Sequence, residues 1–269
     1  MGLTARLSGR VAIVTGGSSG IGRATAEALA REGADVVAVG RNTSRLDDTV
    51  SEIERRFRVS ALAAAADVRS PVDMEGVARR SIERFGRIDI LVTAAGILRA
   101  PGLGLKTIAR TPVEAWDEIV GTNLTGTFLS IKAVLPHLLA RKSGDIVTVS
   151  SKGGRRGVAF DAPYCASKFG VLGLTESLTE EVRSQGIRVQ AVVPGNFETP
   201  VWEQNGPFAR PANLPPAERV AELIVAILAL PGDCFLPATP AEPTLVPSRP
   251  GWLSRSAPSG AGLEPGGLP

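Results

Sequence analysis

Short, nearly continuous runs of apolar residues alternate with longer amphipathic stretches along the chain as far as Val193. The apolar runs predict buried strands at Arg10–Thr15, Asp35–Val39, Val59–Ala66, Ile88–Thr93, Asp145–Ser150 and Ile187–Val193. The amphipathic stretches predict helices at Arg23–Glu32, Thr43–Phe57, Pro71–Phe85, Pro112–Ala140 (interrupted near Gly126) and Pro163–Ser184. This alternation predicts an α/β fold with a doubly wound, Rossmann-type parallel sheet and helices on both faces. Ligands of such a sheet bind at the carboxyl ends of its strands.

The pattern changes after Pro194. Residues Phe197–Leu214 predict a proline-rich loop, Ala217–Leu230 a helix and Glu242–Pro247 a short last strand, which brings the sheet to about seven strands. We therefore expect a single domain over residues 1–247, with a substrate loop and helix at about 196–231. Residues 248–269 are rich in Pro, Gly and Ser and predict a disordered tail.

The composition narrows the functional classes. Of the 269 residues 43% are hydrophobic, which suffices for a sizeable core, but no apolar run reaches the roughly 18 residues of a membrane span. The first residues lack the apolar core of a signal peptide, so we expect a cytoplasmic protein that does not enter a membrane. Two distant cysteines and a single histidine argue against a metal site. With 4% aromatic residues and scattered basic residues, we expect no nucleic-acid partner.

A cluster of glycines follows the first predicted strand and opens the first helix. The glycines let the backbone approach a ligand closely, and the N–H groups of the helix can bind an anion. This order of elements predicts a dinucleotide diphosphate site, although a glycine-rich turn without a ligand would have the same sequence. The predicted cofactor contacts in this turn are Gly16, Ser18, Ser19, Gly20, Ile21 and Gly22.

The end of the second predicted strand indicates which cofactor binds. A carboxylate about 20 residues beyond the glycines would bind the 2′-hydroxyl of NAD. Gly40 stands there instead, and Arg41 follows it. An arginine can pair with the 2′-phosphate of NADP, and Arg45 is placed to help. The sequence therefore favours NADP(H) over NAD(H); the alternative is an exposed arginine with NAD accepted by default.

Tyr164 is the single tyrosine of the chain, and Lys168 follows it four residues later. On a helix this spacing places both side chains on one face. An ammonium beside a phenol lowers the phenol pKa from its usual value of about 10, and such a tyrosine can exchange a proton with an alcohol or carbonyl. Ser151 directly follows the fifth predicted strand and can point into the same crevice. The alternative is a core tyrosine beside a solvated lysine.

Several short motifs occur together and in a fixed order. They are Thr15-Gly16-x-x-x-Gly20-x-Gly22, Asp67-Val68, Ala95-Gly96, Asn123, Ser151, Tyr164-x-x-x-Lys168 and Pro194-Gly195. With this set the chain resembles a classical short-chain dehydrogenase/reductase over roughly residues 8–247. The resemblance implies hydride transfer between a nicotinamide cofactor and a carbonyl or secondary alcohol, with the protein controlling orientation and the proton.

The resemblance also implies the roles of individual residues. Tyr164 is expected to be the acid/base and Ser151 to bind the substrate oxygen. Lys168 is expected to bind the nicotinamide ribose and lower the Tyr164 pKa, and Asn123 to hold a water of the proton relay. The further cofactor contacts it implies are Asp67, Val68, Ala94, Ala95, Gly96, Tyr164, Lys168, Pro194, Gly195, Phe197 and Thr199. The usual family contacts through two long helices predict a homotetramer or homodimer.

Three positions depart from the family's pattern. Ala94 stands where the family usually has an asparagine, which removes a polar group near the cofactor. Ser19 is not the basic residue that many NADP-preferring members carry, so Arg41 is the main argument for NADP(H). The usual carboxyl-terminal Asp-Gly-Gly segment is absent. Leu245-Val246-Pro247 and the Pro/Gly-rich tail replace it, which changes the segment expected to form the pocket floor and one subunit contact.

The substrate pocket is expected between the stretches Ile97–Arg110, Lys152–Pro163 and Phe197–Leu214. Their apolar residues favour an apolar or mixed carbonyl compound over a free sugar, and the pair Arg155-Arg156 either contacts an acidic group or is solvated. We therefore expect an NADP(H)-dependent oxidoreductase with a small-molecule carbonyl or alcohol substrate. The alternatives are a catalytically silent NAD(P)-binding scaffold or regulator and an NAD-dependent alcohol dehydrogenase of the same fold. A third, an epimerase or dehydratase on a related fold, would need a larger substrate domain.

Overall fold

Seven parallel strands form one sheet in the computed structural model, which describes residues 5–204, 210–232, 234, 236 and 238–241. The strands are β1 (Val11–Thr15), β2 (Asp35–Gly40), β3 (Ala61–Ala65), β4 (Ile90–Thr93), β5 (Gly144–Val149), β6 (Ile187–Pro194) and β7 (Ala238–Ala241). Their order is β3-β2-β1-β4-β5-β6-β7, and every neighbouring pair is parallel. The strand order reverses between β1 and β4, where a doubly wound sheet opens a crevice. The predicted fold class is confirmed.

Helices cover both faces of this sheet. They are α1 (Gly20–Arg31), α2 (Thr43–Arg56), α3 (Pro71–Phe85), α4 (Val113–Val120), α5 (Gly126–Arg141), α6 (Ala162–Val182) and α7 (Glu218–Leu228). The predicted helix Pro112–Ala140 is interrupted just before Gly126, where a π-helical turn at Gly121–Thr125 separates α4 from α5. Such turns often occur at functional sites. Here the turn contains Asn123.

Alternate residues of each strand pack against opposite layers of helices. In β1, Ala12 and Val14 lie in the apolar cluster with α1 and α7, whereas Ile13 between them lies in the cluster with α3, α5 and α6. All three side chains are fully buried. The strands therefore need apolar residues at every position, which is why they appear in the sequence as continuous apolar runs.

Buried ion pairs hold the amino ends of the central strands. Asp145 of β5 accepts hydrogen bonds from Arg10 and, at 2.6 Å, from Nε of Arg188. Asp89, just before β4, accepts from the main-chain N–H of Val11 at 2.9 Å and from Arg87. This charged network lies at the edge of the sheet opposite the carboxyl ends, so it belongs to the scaffold rather than to a ligand site.

The seventh strand lies earlier than predicted. Ala238–Ala241 pairs with β6, whereas the predicted strand Glu242–Pro247 and the predicted tail 248–269 lie outside the described residues. The boundary at residue 247 consequently stays a prediction. Within the described part of the chain, no helix is both long and apolar enough to cross a membrane.

Candidate active site

A cleft of about 600 Å³ opens at the carboxyl edge of the sheet, where the strand order reverses. It is bounded by the turns after β1 to β4, the end of β5, the start of α6 and the segment after β6. Most of the predicted cofactor contacts line it: Gly16, Ser18, Ser19, Gly20, Ile21, Gly22, Arg41, Asp67, Val68, Ala94, Ala95, Gly96, Tyr164, Lys168 and Thr199. The fold therefore brings together residues that are far apart in sequence.

A second hollow of about 680 Å³ lies beside the cleft, between α1 and the segment before α7. It contains none of the predicted catalytic residues. Two of its carboxylates, those of Glu27 and Glu198, pair with Arg23 and Arg210. We therefore assign the chemistry to the smaller cleft.

The glycine turn packs too tightly for side chains. A Cβ on Gly22 would lie 2.2 Å from the main-chain oxygen of Gly16, and a Cβ on Gly16 would lie 2.9 Å from the backbone of Ala94. Ser19 is the N-cap residue of α1, yet its side chain makes no capping hydrogen bond among the described residues. The first-turn N–H groups of a helix need an acceptor, and an anion in this cleft would supply one.

Two arginines lie where β2 ends. Arg41 and Arg45 both line the cleft and are exposed, and neither has a carboxylate within 4 Å in the described part of the chain. Between them Asn42 caps α2 by accepting from the main-chain N–H of Arg45 at 2.9 Å. The cleft therefore ends in two guanidinium groups that form no direct ion pair among the described residues, beside a helix N-terminus, an arrangement that suits a phosphate.

Asp67 lies on the cleft wall, but its carboxylate is already engaged. Arg69 donates to both carboxylate oxygens, at distances of 2.6 to 3.1 Å, and holds the pKa of Asp67 below its usual range. If the Asp67 carboxylate also accepted from an adenine amino group, it would bond the adenine and Arg69 at the same time.

Tyr164 lies in the first turn of α6 and faces the cleft. Burial raises the pKa of its phenol above the ordinary value of 10, while a hydrogen bond with Ser151 acts in the opposite direction. Ser151 follows β5 and also accepts from the main-chain N–H of Gly153 at 3.2 Å. The serine hydroxyl and the phenol thus lie close together at the carboxyl end of β5.

Lys168 lies one turn beyond Tyr164 and is almost fully buried. Its Nζ atom donates to the main-chain oxygen of Val149 at 2.8 Å and lies 5.9 Å from the centroid of the Tyr164 ring. Burial lowers the pKa of Lys168 to about 8. Burial is the main cause of the raised pKa of the Tyr164 phenol. The expectation that Lys168 lowers this pKa stays a prediction.

Asn123 lies at the back of the site rather than in the cleft. Its Oδ1 accepts from the main-chain N–H of Ile97 at 2.8 Å, and its Nδ2 donates to the main-chain oxygen of Ile97 and to Ser167 Oγ. Ser167 in turn donates to the main-chain oxygen of Tyr164 at 2.7 Å. The Asn123 amide therefore ties the segment after β4 to α6, and its role in a proton relay stays a prediction.

Three predicted cofactor contacts after β6 do not line the cleft. Pro194 ends β6, and the main-chain N–H of Gly195 donates to Ala241 at 2.8 Å. Phe197 is 6% exposed and belongs to the apolar core with α1 and α7. Because the Phe197 side chain is buried in this core, a cofactor contact at Phe197 would use its backbone, and the contacts of Pro194, Gly195 and Phe197 stay predictions.

A family model described as short chain dehydrogenase matches residues 10–209. The chain belongs to the short-chain dehydrogenase/reductase family. As a member, it is an oxidoreductase of the kind that acts on a CH–OH group or the corresponding carbonyl with NAD(P).

This short-chain dehydrogenase is similar to proteins of known name. It is 37% identical over 204 residues to a 3-oxoacyl-[acyl-carrier-protein] reductase from Thermotoga maritima, a match that covers 74% of this chain and 78% of the relative. Levodione reductase has a TM-score of 0.80 at 30% identity and covers 87% of this chain and 96% of its own. A metagenomic short-chain oxidoreductase in complex with NADP has a TM-score of 0.77 at 30% identity, covering 89% and 99%.

Several cleft residues of this short-chain dehydrogenase were not predicted from the sequence. They are Asn42, Ala66, Thr122, Val149 and Ser150. No motif marks Asn42 or Thr122. A signal existed for Ala66, Val149 and Ser150, because they lie at the carboxyl ends of predicted strands.

Proposed function

We propose that this chain is an NADP(H)-dependent oxidoreductase that interconverts a carbonyl and a secondary alcohol, with Tyr164 as the acid/base. The observation that carries the proposal is one cleft in which the glycine turn, Arg41 and the Tyr164–Lys168 pair all lie. A diphosphate binder without chemistry would need only the first of these.

The residues present fit a nicotinamide dinucleotide. The uncapped start of α1 would bind the diphosphate, and the backbone of Ala94–Gly96 would line the path toward Tyr164. When bound, the cofactor supplies or accepts the hydride. A side chain at Gly96 would crowd the site, because its Cβ would lie 3.2 Å from Asn123 Oδ1.

Tyr164 handles the proton. Because burial raises its pKa above 10, the phenol is protonated near neutral pH and can donate to an oxygen that gains negative charge. The Ser151 hydroxyl, close enough to the phenol to affect its pKa, would share that oxygen and stabilise the developing charge. A protonated phenol suits reduction of the carbonyl, whereas oxidation of the alcohol first requires the phenolate.

NADP(H) is proposed over NAD(H) on the basis of Arg41 and Arg45. A 2′-phosphate would give both exposed guanidinium groups a partner that the described residues do not supply, at the amino end of α2. The similar metagenomic oxidoreductase is in complex with NADP, which supports the same choice.

The substrate is proposed to be an apolar or mixed carbonyl compound. Leu98, Leu103 and Phe160 line a small cavity next to Asp161 and Pro163, beyond the cleft wall.

We also propose a cytoplasmic homotetramer or homodimer. Exposed aromatic residues on the outer faces of α4, α5 and α6 support such association: Trp116, Phe128 and Phe169. Light scattering that gives a monomer mass across the working concentration range would contradict the oligomer.

The decisive experiment is a panel of ketones, aldehydes and 3-oxoacyl thioesters, assayed with NADPH and with NADH through loss of reduced-nicotinamide absorbance. We expect turnover with NADPH and a lower kcat/KM with NADH. Cofactor binding without turnover across the panel would instead support a silent scaffold. A higher kcat/KM with NADH would support an NAD-dependent alcohol dehydrogenase of the same fold.

A further inference from the structure

Arg99 is a buried arginine in the segment after β4. It is 6% exposed, and its guanidinium contacts two other segments at once. Nη2 donates to Asp161 Oδ1 at 2.6 Å, and Nη1 donates to the main-chain oxygen of Gln204 at 3.2 Å. Burying a charge is costly unless it is paired and hydrogen-bonded, so these contacts determine where the side chain can lie.

Gln204 is the last residue of the 3₁₀ turn Pro200–Gln204, which follows β6. Its Oε1 accepts from the main-chain N–H groups of Leu98 at 2.8 Å and Arg99 at 3.2 Å. Together with the Arg99 guanidinium, three donors after β4 therefore hold this turn. The held turn and the residue before it supply one wall of the cleft through Thr199, Pro200, Val201, Glu203 and Gln204.

Asp161 is the N-cap residue of α6 and lies three residues before Tyr164. Its main-chain oxygen accepts from Cys165 at 2.8 Å, which starts the hydrogen bonding of the helix. Burial raises the pKa of its carboxyl, while the charge and hydrogen bond of Arg99 lower it. Arg99 therefore fixes the carboxylate of Asp161 and, with it, the first turn of α6.

We propose that Arg99 is a positioning residue that couples the cleft wall after β6 to the first turn of α6, and so sets the distance between bound ligands and Tyr164. The inference rests on the proposed function. Without Arg99 the two walls lose their common tether, and the cleft is less preorganised for binding and proton transfer. A lysine keeps the charge but is a single point charge that cannot bridge both partners as the planar guanidinium does.

The test separates the two sides of the tether. Calorimetry gives the Kd of NADP⁺ and NAD⁺, and steady-state assays with one carbonyl substrate give kcat and KM. Gln204→Leu removes the side-chain acceptor of the Leu98 and Arg99 main-chain N–H groups and so loosens the loop side, where the Kd and KM should rise about tenfold with kcat within twofold. Asp161→Asn weakens the helix side, so kcat should fall about tenfold with the Kd within twofold. Arg99→Lys should show both effects.

Two measurements control the test. Arg110→Ala should behave as wild type, because Arg110 is exposed in the same segment and does not line the cleft. The melting temperature of each variant shows whether the substitution only destabilises the fold. Such a variant would melt at a lower temperature without the separate effects on Kd and kcat. The inference would be overturned if Arg99→Lys kept the Kd and kcat of wild type. It would also be overturned if Gln204→Leu and Asp161→Asn both changed the same parameter, whether Kd or kcat. If wild type binds NADP⁺ but reduces no carbonyl, the proposed function fails. The role of Arg99 is then tested by the Kd of NADP⁺ alone, which should still rise in Arg99→Lys and Gln204→Leu.

Discussion

Lys168 donates a hydrogen bond of 2.8 Å from Nζ to the main-chain oxygen of Val149, the last residue of β5. This bond joins α6 to the carboxyl end of the sheet inside the candidate active site. No carboxylate lies within 4 Å of the ammonium among the described residues, and burial lowers the pKa of Lys168 to about 8. The bond therefore orients the lysine without compensating its charge.

The buried lysine predicts a pH-dependent stability. Its pKa is about 8 in the folded state and 10.5 when solvated, so the unfolded chain binds more protons between these values. Lys168 therefore lowers the free energy of unfolding below about pH 8, and this destabilisation decreases as the pH rises toward 10.5. Urea unfolding from pH 7 to 10 should show wild type gaining up to about 3 kcal/mol relative to Lys168→Met.

Lys132 supplies the matched control, because it is exposed on α5. The stability difference between wild type and Lys132→Met should be constant over the same pH range. A difference between wild type and Lys168→Met that is also constant would show that the folded-state pKa of Lys168 is ordinary.

Tyr164→Phe removes the phenol hydroxyl and keeps the ring that packs at the start of α6. Because the proton then has no donor at that place, kcat should fall by about 10²–10⁴. The Kd of NADP⁺ should change by less than about twofold, since the glycine turn and Arg41 are untouched. Ser151→Ala, which loses only the second hydrogen bond to the oxygen, should cost less. Full activity of Tyr164→Phe would eliminate the acid/base assignment.

Arg41→Ala tests the choice of cofactor. Loss of one guanidinium facing the 2′-phosphate should raise the KM of NADPH about tenfold and leave the KM of NADH nearly unchanged. Arg58→Ala is the control, because Arg58 is an exposed arginine just before β3, at the opposite edge of the sheet. Equal losses with both cofactors would mean that Arg41 does not contact the phosphate.

Much of the fold could be predicted because buried parallel strands leave a direct trace in the sequence. Val36–Val39 of β2 are fully buried, so each position must be apolar. The glycine turn was also predictable, since Gly16 and Gly22 are required by contacts of the backbone with itself. These parts follow from burial and close backbone contacts, which restrict each position to a few residue types.

The parts that could not be predicted depend on long-range contacts. Arg99 meets Gln204 across 105 residues of sequence and Asp161 across 62, and no periodicity or motif marks these partners. The spacing of Tyr164 and Lys168 correctly indicated a shared helix face, but not that the ammonium would bond Val149 or that burial would raise the phenol pKa. Side-chain distances and desolvation arise only from the packed structure.

The ion pairs at the amino edge of the sheet predict a stability effect without a loss of chemistry. Asp145 is 4% exposed and bonds both Arg10 and Arg188, and Arg188 also donates to the main-chain oxygen of Leu228 at the end of α7. Asp145→Asn leaves two guanidinium groups short of a counter-charge and should lower the free energy of unfolding by about 3 kcal/mol. Because the site lies at the other edge, kcat of the folded protein should be unchanged.

Glu180→Gln is the matched change at the surface, where Glu180 pairs with Arg183 and both side chains are more than half exposed. An exposed pair contributes about 0–1 kcal/mol, so urea unfolding should barely distinguish this variant from wild type. Equal destabilisation by the two substitutions would contradict a special role for the buried network. A fall in kcat of folded Asp145→Asn would instead mean that the substitution shifts β5. Such a shift would move Val149 at the other end of the strand and the Lys168 ammonium that bonds it.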